Sequence, residues 1–477
     1  MRWSLALVLT VAAANVGAAD RFDVVIRGGR VMDPETGRDG VLNVGLAGDR
    51  IARISAEPLE GARVIDARGL VVAPGFIDLH QHSFSPENDR LKARDGVTAA
   101  LEMEIGRVDV AGFLAERRGH ALIHFGTTAS HPAARHAAWG GSLAPEARVP
   151  PSGPSTNEPA SPEQMARIEE RLEREIDAGG LGIGMGLAYT PGATRAEVIE
   201  MFRLAAARRL PVFTHVRSAG RIEPGSSIEA VGEVIAAAAT TGASLQIVHI
   251  NSSGLRDAPE CLALVAGARA RGLDVTTEAY PYEAGMTLVN SALFNPGWRE
   301  KLGIDYGDLQ VPGTGERLTK ERFDELHADP TPRWITVFAN PVDVMDVVIR
   351  HPLVMIASDG ITEHPRNAGT FSRILARYVR EQRTLTLMDA LRKMSLMPAQ
   401  RLETSTPAAR SKGRLREGAD ADIVVFDPAT IADRANYANP TVPSVGVQYL
   451  LVAGTLVVDA GRIVPGVAPG RALAGGR

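Results

Sequence analysis

The chain has 477 residues, 45% of them hydrophobic and 23% charged, with a formal charge of −4. That length suits one large domain plus a smaller one, and the apolar fraction supports a sizeable core and excludes global disorder. The near-neutral balance offers no basic surface for nucleic acid or an anionic membrane, and the single cysteine, Cys261, excludes a disulfide framework.

Residues 1–19, MRWSLALVLTVAAANVGAA, read as a secretory leader. Arg2 makes a short basic start, Ser4–Ala14 is an apolar run too short to span a bilayer, and small residues lead to a cut between Ala19 and Asp20. The expected location is therefore periplasmic or secreted. Loss of Arg2 would take the charge from −4 to −5. No later run holds 18 consecutive apolar residues, so no membrane span is expected.

Residues 20–73 alternate and break at Asp33-Pro34, Gly37 and a Gly-Asp turn, as short strands do. The segment 413–477 repeats that rhythm in ADIVVFDP and VQYLLVAGTLVVDAGRIV. The two ends are expected to meet in one small β-sandwich domain. Between them, 74–412 alternates short apolar runs with helical stretches, and Ser161-Pro162 opens a helix that stops at Gly179-Gly180. That pattern predicts an α/β fold, a (β/α)8 TIM-like barrel with strands covered on both faces. Residues 140–161 read as a long Pro/Ser/Gly-rich loop, and 295–334 as an insertion late in the barrel. Cys261 lies in a helical stretch and reads as a small buried apolar residue.

In such a barrel, chemistry sits at the C-terminal ends of the strands. The run VVAPGFIDLHQHSF (Val71–Phe84) ends on His80 and His82, two residues apart and so on one face of an extended chain. Other apolar runs end on Glu102 and Glu104, His215, His249 and Asp359. A lone strand-end histidine is usually structural. Four of them with carboxylates form the donor set of a zinc-like ion. Ser130-His131 lacks the elbow that a nucleophilic serine needs, and His131 and His136 read as solvated loop residues.

The order HxH, bridging strand, His, His, Asp resembles the amidohydrolase superfamily. Within it the chain resembles the N-acyl-D-amino-acid deacylases (D-aminoacylases), through GFIDLHQHS, GLGIGMGLAYTPG, FTHVRS, AYPYEAGMT, SDGITEHPRNAGTFSRILARYVRE and GRLREGADADIVVFDPATIAD. The resemblance implies a barrel plus β domain and one or two divalent ions, zinc foremost. His80 and His82 would hold one position and His215 and His249 the other. Asp359 would deprotonate the attacking water and later protonate the leaving amine. Tyr189, Tyr280 and Arg366 match the region of the substrate pocket, and an arginine there suits a bidentate grip on a carboxylate.

Three positions depart from that family. LEMEIG replaces the usual cysteine-bearing bridge, so Glu104, or Glu102 on the same face, is the expected bridging ligand, and a carboxylate there favours two metals. Asn251, a candidate substrate contact, stands where Lys or Arg is common, and the segment THVRSAG lacks an acidic residue after its arginine. These departures keep open a cyclic imide, a lactone or a xenobiotic amide as substrate. A non-catalytic binding protein would show gaps in the ligand set, and none is seen. The expected partner is a small molecule, and the sequence allows a homo-oligomer.

Overall fold

Strand β1 (Phe22–Asp33) begins the first of two sheets that position the site. The computed structural model describes residues 21–144, 149–329 and 331–475; the leader read at 1–19 lies outside them. β1 pairs along its length with β2 (Arg38–Ala47), which continues to β3 (Arg50–Ser55). A bulge between Ile26 and Gly29 bends β1, so its first half takes β4 (Gly61–Asp66) as a parallel neighbour and its second half takes β5 (Val71–Pro74). Such bulges turn a strand and re-aim its pairing. The bend lets one sheet fold over a core that includes Ile26, Val44, Ile65, Val72, Ile423 and Leu451.

β6 (Phe76–Asp78) leaves this sheet and starts the barrel. The parallel strands β7 (Val97–Arg107), β8 (His124–Ser130), β9 (Ile183–Gly186), β10 (Val212–His215), β11 (Leu245–Ile247) and β12 (Val275–Ala279) follow. The helix Pro162–Asp177 shows why the crossovers form. Ser161 and Gln164 make a reciprocal cap, and Ile168, Leu172 and Ile176, each four residues apart, bury one face.

After β12 the chain makes an excursion wider than 295–334. β13 (Gly285–Leu288), β14 (Leu309–Gln310) and β15 (Trp334–Val337) form their own sheet over Phe294, Trp298, Leu309 and Phe323. Then β16 (Val354–Ile356) completes the eight-stranded barrel. Its seam with β6 is joined at the upper end, where Gly360 donates to His80 O at 3.0 Å and His82 N donates to Gly360 O at 2.9 Å.

β17 (Ile423–Phe426) returns beside β5, and β18 (Val447–Val452), β19 (Thr455–Asp459) and β20 (Arg462–Ile463) complete the first sheet. The last stretch departs from the expected 413–477 domain. Leu473 N donates to Phe125 O at 2.7 Å, and its side chain is buried with Leu101, Leu181 and Phe213 beneath the barrel. No helix among the described residues is long and apolar enough to cross a membrane.

A buried ion pair ties the barrel seam together. Lys92 Nζ lies 2.8 Å from Asp78 Oδ2 and 2.7 Å from Ser358 Oγ, with both charged side chains almost fully buried. Asp78 also accepts from His80 N at 3.2 Å and Ser358 N at 2.9 Å. It thus fixes the segments carrying His80 and Asp359. Removing one partner strands the other charge away from water. We expect Lys92→Met to cost about 3–5 kcal/mol of stability, read from the urea midpoint at unchanged slope.

Candidate metal centre

Glu104 is at the middle of the site because β7 does not run regularly. Its pairing with β8 shifts register between Glu102 and Arg107, and Gly106 takes a left-handed φ of 76°. Gly184 allows the close approach: a Cβ there would lie 2.5 Å from Glu104 O. Within this irregular stretch the Glu104 carboxylate reaches four imidazoles. Its Oε2 is 3.0 Å from His80 Nε2 and 3.1 Å from His82 Nε2; its Oε1 is 2.7 Å from His215 Nδ1 and 3.1 Å from His249 Nε2.

Asp359 completes the first group. Its Oδ1 is 3.1 Å from His82 Nε2 and 3.4 Å from His80 Nε2, while its Oδ2 is 2.9 Å from Arg366 Nη2. The donors therefore fall into two sets sharing Glu104: His80, His82, Glu104 and Asp359, and Glu104, His215 and His249. Asp359 and His249 both take left-handed backbones, φ 50° and 31°. Strain of this kind persists where the surroundings fix it, often at functional sites.

The outer partners orient the imidazoles. His80 Nδ1 is 2.6 Å from Glu278 Oε1, His82 Nδ1 is 2.6 Å from Glu102 Oε2, and His249 Nδ1 is 3.0 Å from Ser252 Oγ. Each contact turns the Nε2 atom of that ring inward, the usual arrangement behind a metal-binding histidine. Glu102 is therefore behind His82 rather than among the converging donors, and its Oε1 accepts from Ile105 N at 3.2 Å. Its placement corrects the sequence expectation that either glutamate could bridge: the kink separates two residues that a regular strand would put together. We expect Glu102→Gln to weaken metal binding about 10–100-fold, measured by chelator competition.

Charge and burial favour a cation here. Burial alone would raise Asp359, but Arg366 and His80 hold it well below the usual carboxylate range. Burial also opposes ionisation of Glu104, and His80, His215 and His249 overcome it. Burial disfavours a charged His82, yet Glu102, Asp359 and Glu104 push it up to about 10. Burial and then His215 bring His249 down to about 4. Ionised carboxylates beside imidazoles, with no thiolate, fit a first-row divalent ion that would displace the imidazole protons.

A cavity of about 800 Å³, counting its open mouth, lies over these donors. Tyr189 and Tyr280 are in its wall. Arg366 is fully buried, 4.6 Å over the Tyr280 ring. Asn251 is not in the wall. Its side chain donates to Tyr280 O at 3.2 Å and so braces that tyrosine, which corrects its reading as a substrate contact. His131 is buried 2.8 Å from Glu197 rather than solvated, and Ser130 caps the helix that follows. Sequence reasoning missed Glu278. It stands one residue before the end of β12, VTTEA, near a strand end like the donors, but the two threonines before it hide the apolar run that marked them.

A model of the amidohydrolase family matches residues 63–458. The chain is 32% identical to an N-acyl-D-glutamate deacylase of Alcaligenes xylosoxydans xylosoxydans, over 95% of this chain and 97% of that one. It is 30% identical to a D-aminoacylase of the same organism, over 91% and 94%. Among solved structures, an N-acyl-D-glutamate deacylase from Bordetella bronchiseptica, complexed with zinc and a phosphonate mimic of the tetrahedral intermediate, is similar with a TM-score of 0.78 at 27% identity. That match covers 95% of this chain and 100% of the other.

Proposed function

The chain belongs to the amidohydrolase family and is a metal-dependent hydrolase of amide C–N bonds, and we propose that its substrate is an N-acyl-D-amino acid. The observation that carries this reading is the pair of donor sets sharing Glu104, with Asp359 held between them and a buried arginine. The D-amino acid rests on the relatives of 32% and 30% identity.

His80 and His82 would hold one divalent ion, zinc by analogy with the Bordetella enzyme, and His215 and His249 a second, with Glu104 between them. Such an ion supplies Lewis-acid polarisation of the amide carbonyl and acidifies water. Asp359 faces the donors through Oδ1, where it takes a proton from the attacking water. The oxygen adds to the carbonyl carbon, the C–N bond breaks, and Asp359 returns the proton to the leaving nitrogen. The products are a carboxylate and a free amino acid.

Arg366 would hold the substrate's α-carboxylate. Its Nε and Nη1 have no hydrogen-bond partner although fully buried. Gly285, in the cavity wall, puts no side chain between Arg366 and the cavity: a Cβ there would sit 3.2 Å from Tyr280 Oη and 3.9 Å from Arg366 Nη1. The leader read at 1–19 would place this activity in the periplasm or outside the cell. The test is turnover of N-acetyl-D-methionine against its L enantiomer by zinc-loaded protein. Release of free methionine from the D form alone is expected; equal rates, or none with either, overturn the reading.

A further inference from the structure

The metal donors account for the floor of the cavity but leave its wall unexplained. Ile105 and Val149 come from the barrel side, and Leu293, Leu302, Trp334 and Val337 come from the excursion between β12 and β16. Ile105, Val149 and Tyr189 form one buried apolar cluster, against which Leu293 packs. Leu302 ends a short helix pressed onto the loop after His215, where a Cβ on Gly220 would meet Lys301 O at 1.8 Å. Among the described residues, no lysine or arginine lines the cavity. Arg366 is behind Tyr280 and is taken by Asp359 and, on the deacylase reading, by the α-carboxylate, so it is not free for a second, side-chain carboxylate.

Resting on the deacylase reading above, we propose that this wall selects substrates whose amino-acid side chain is apolar and rejects acidic ones. A carboxylate pressed against Leu293, Leu302 and Trp334 would lose water and meet no cation among the described lining residues, a cost that falls on the acidic substrate alone. An apolar side chain gains about fourfold in binding for each methylene it buries. Specificity of this kind is largest where a charged group is left unpaired and modest where only methylenes are counted.

The experiment measures kcat/KM of the metal-loaded full chain on N-acetyl derivatives of D-alanine, D-norvaline, D-leucine, D-phenylalanine, D-aspartate and D-glutamate. Values are expected to rise about fourfold per methylene from D-alanine to D-norvaline. D-leucine is expected at least about a hundredfold above D-glutamate. D-glutamate within about tenfold of D-leucine overturns the inference while leaving the deacylase reading intact. Leu302→Arg supplies the missing cation at a half-buried site and is expected to narrow the leucine-to-glutamate ratio by about tenfold or more. An unchanged ratio also overturns the assignment of the wall. If none of the six compounds is cleaved, the deacylase reading itself falls.

Discussion

Glu104→Ala is expected to lower bound metal from about two equivalents to one or none and to cut kcat/KM by about a thousandfold, the scale of losing one preorganised electrostatic group. The geometry makes Glu104 the shared member. One oxygen faces His80 and His82 at 3.0–3.1 Å, and the other faces His215 and His249 at 2.7 and 3.1 Å. Without it, each set keeps imidazoles but loses the carboxylate that balances a divalent charge. His80 and His82 retain Asp359 beside them, so the first position is the one expected to survive. His215 and His249 keep only each other, 4.5 Å apart between ring centres, so the second is expected to empty. Metal analysis of wild type and variant checks this. Two equivalents surviving in the variant would remove Glu104 from the bridge.

The same residue shows how far the sequence could be read. Period-two alternation put Glu102 and Glu104 on one face and left the choice open, because that rule holds only while a strand stays regular. The register shift before Arg107 breaks it, and Gly106 is the one sequence sign of the break. The histidines were legible for the opposite reason. They end apolar runs, and in a parallel barrel strand ends converge whatever the loops do. Asn251 was not legible: His249's left-handed backbone turns the chain into a short helix, and the asparagine ends on the backbone of Tyr280. Lys92 and Asp78 gave no sign at all, since a buried ion pair across 14 residues leaves no periodicity. The excursion was half legible. Its polar middle stood out, but β13 and β15 are apolar strands that read as barrel, so its start and end were placed too far inward.

Asp359→Asn separates proton transfer from metal binding. Loss of a positioned acid–base group costs about 10²–10⁴ in rate, so turnover should fall by that factor while metal content stays near the wild-type value. Asp359 stands apart from the other donors in one respect: a cation holds its far side. Arg366 Nη2 lies 2.9 Å from Oδ2, fully buried, which leaves Oδ1 directed at the centre. His80, His82 and His249 do not depend on it for orientation, because Glu278, Glu102 and Ser252 turn their rings from behind. Asparagine preserves the shape and an oxygen for Arg366, so folding and the outer partners persist, but an amide cannot carry the proton from water to the leaving nitrogen. The measurement is single-turnover release of amine alongside metal analysis of the same sample. Metal retained with turnover lost is the expected result. Metal lost in step with turnover would make Asp359 a ligand first, and turnover retained would move the proton transfer to another group in the cavity.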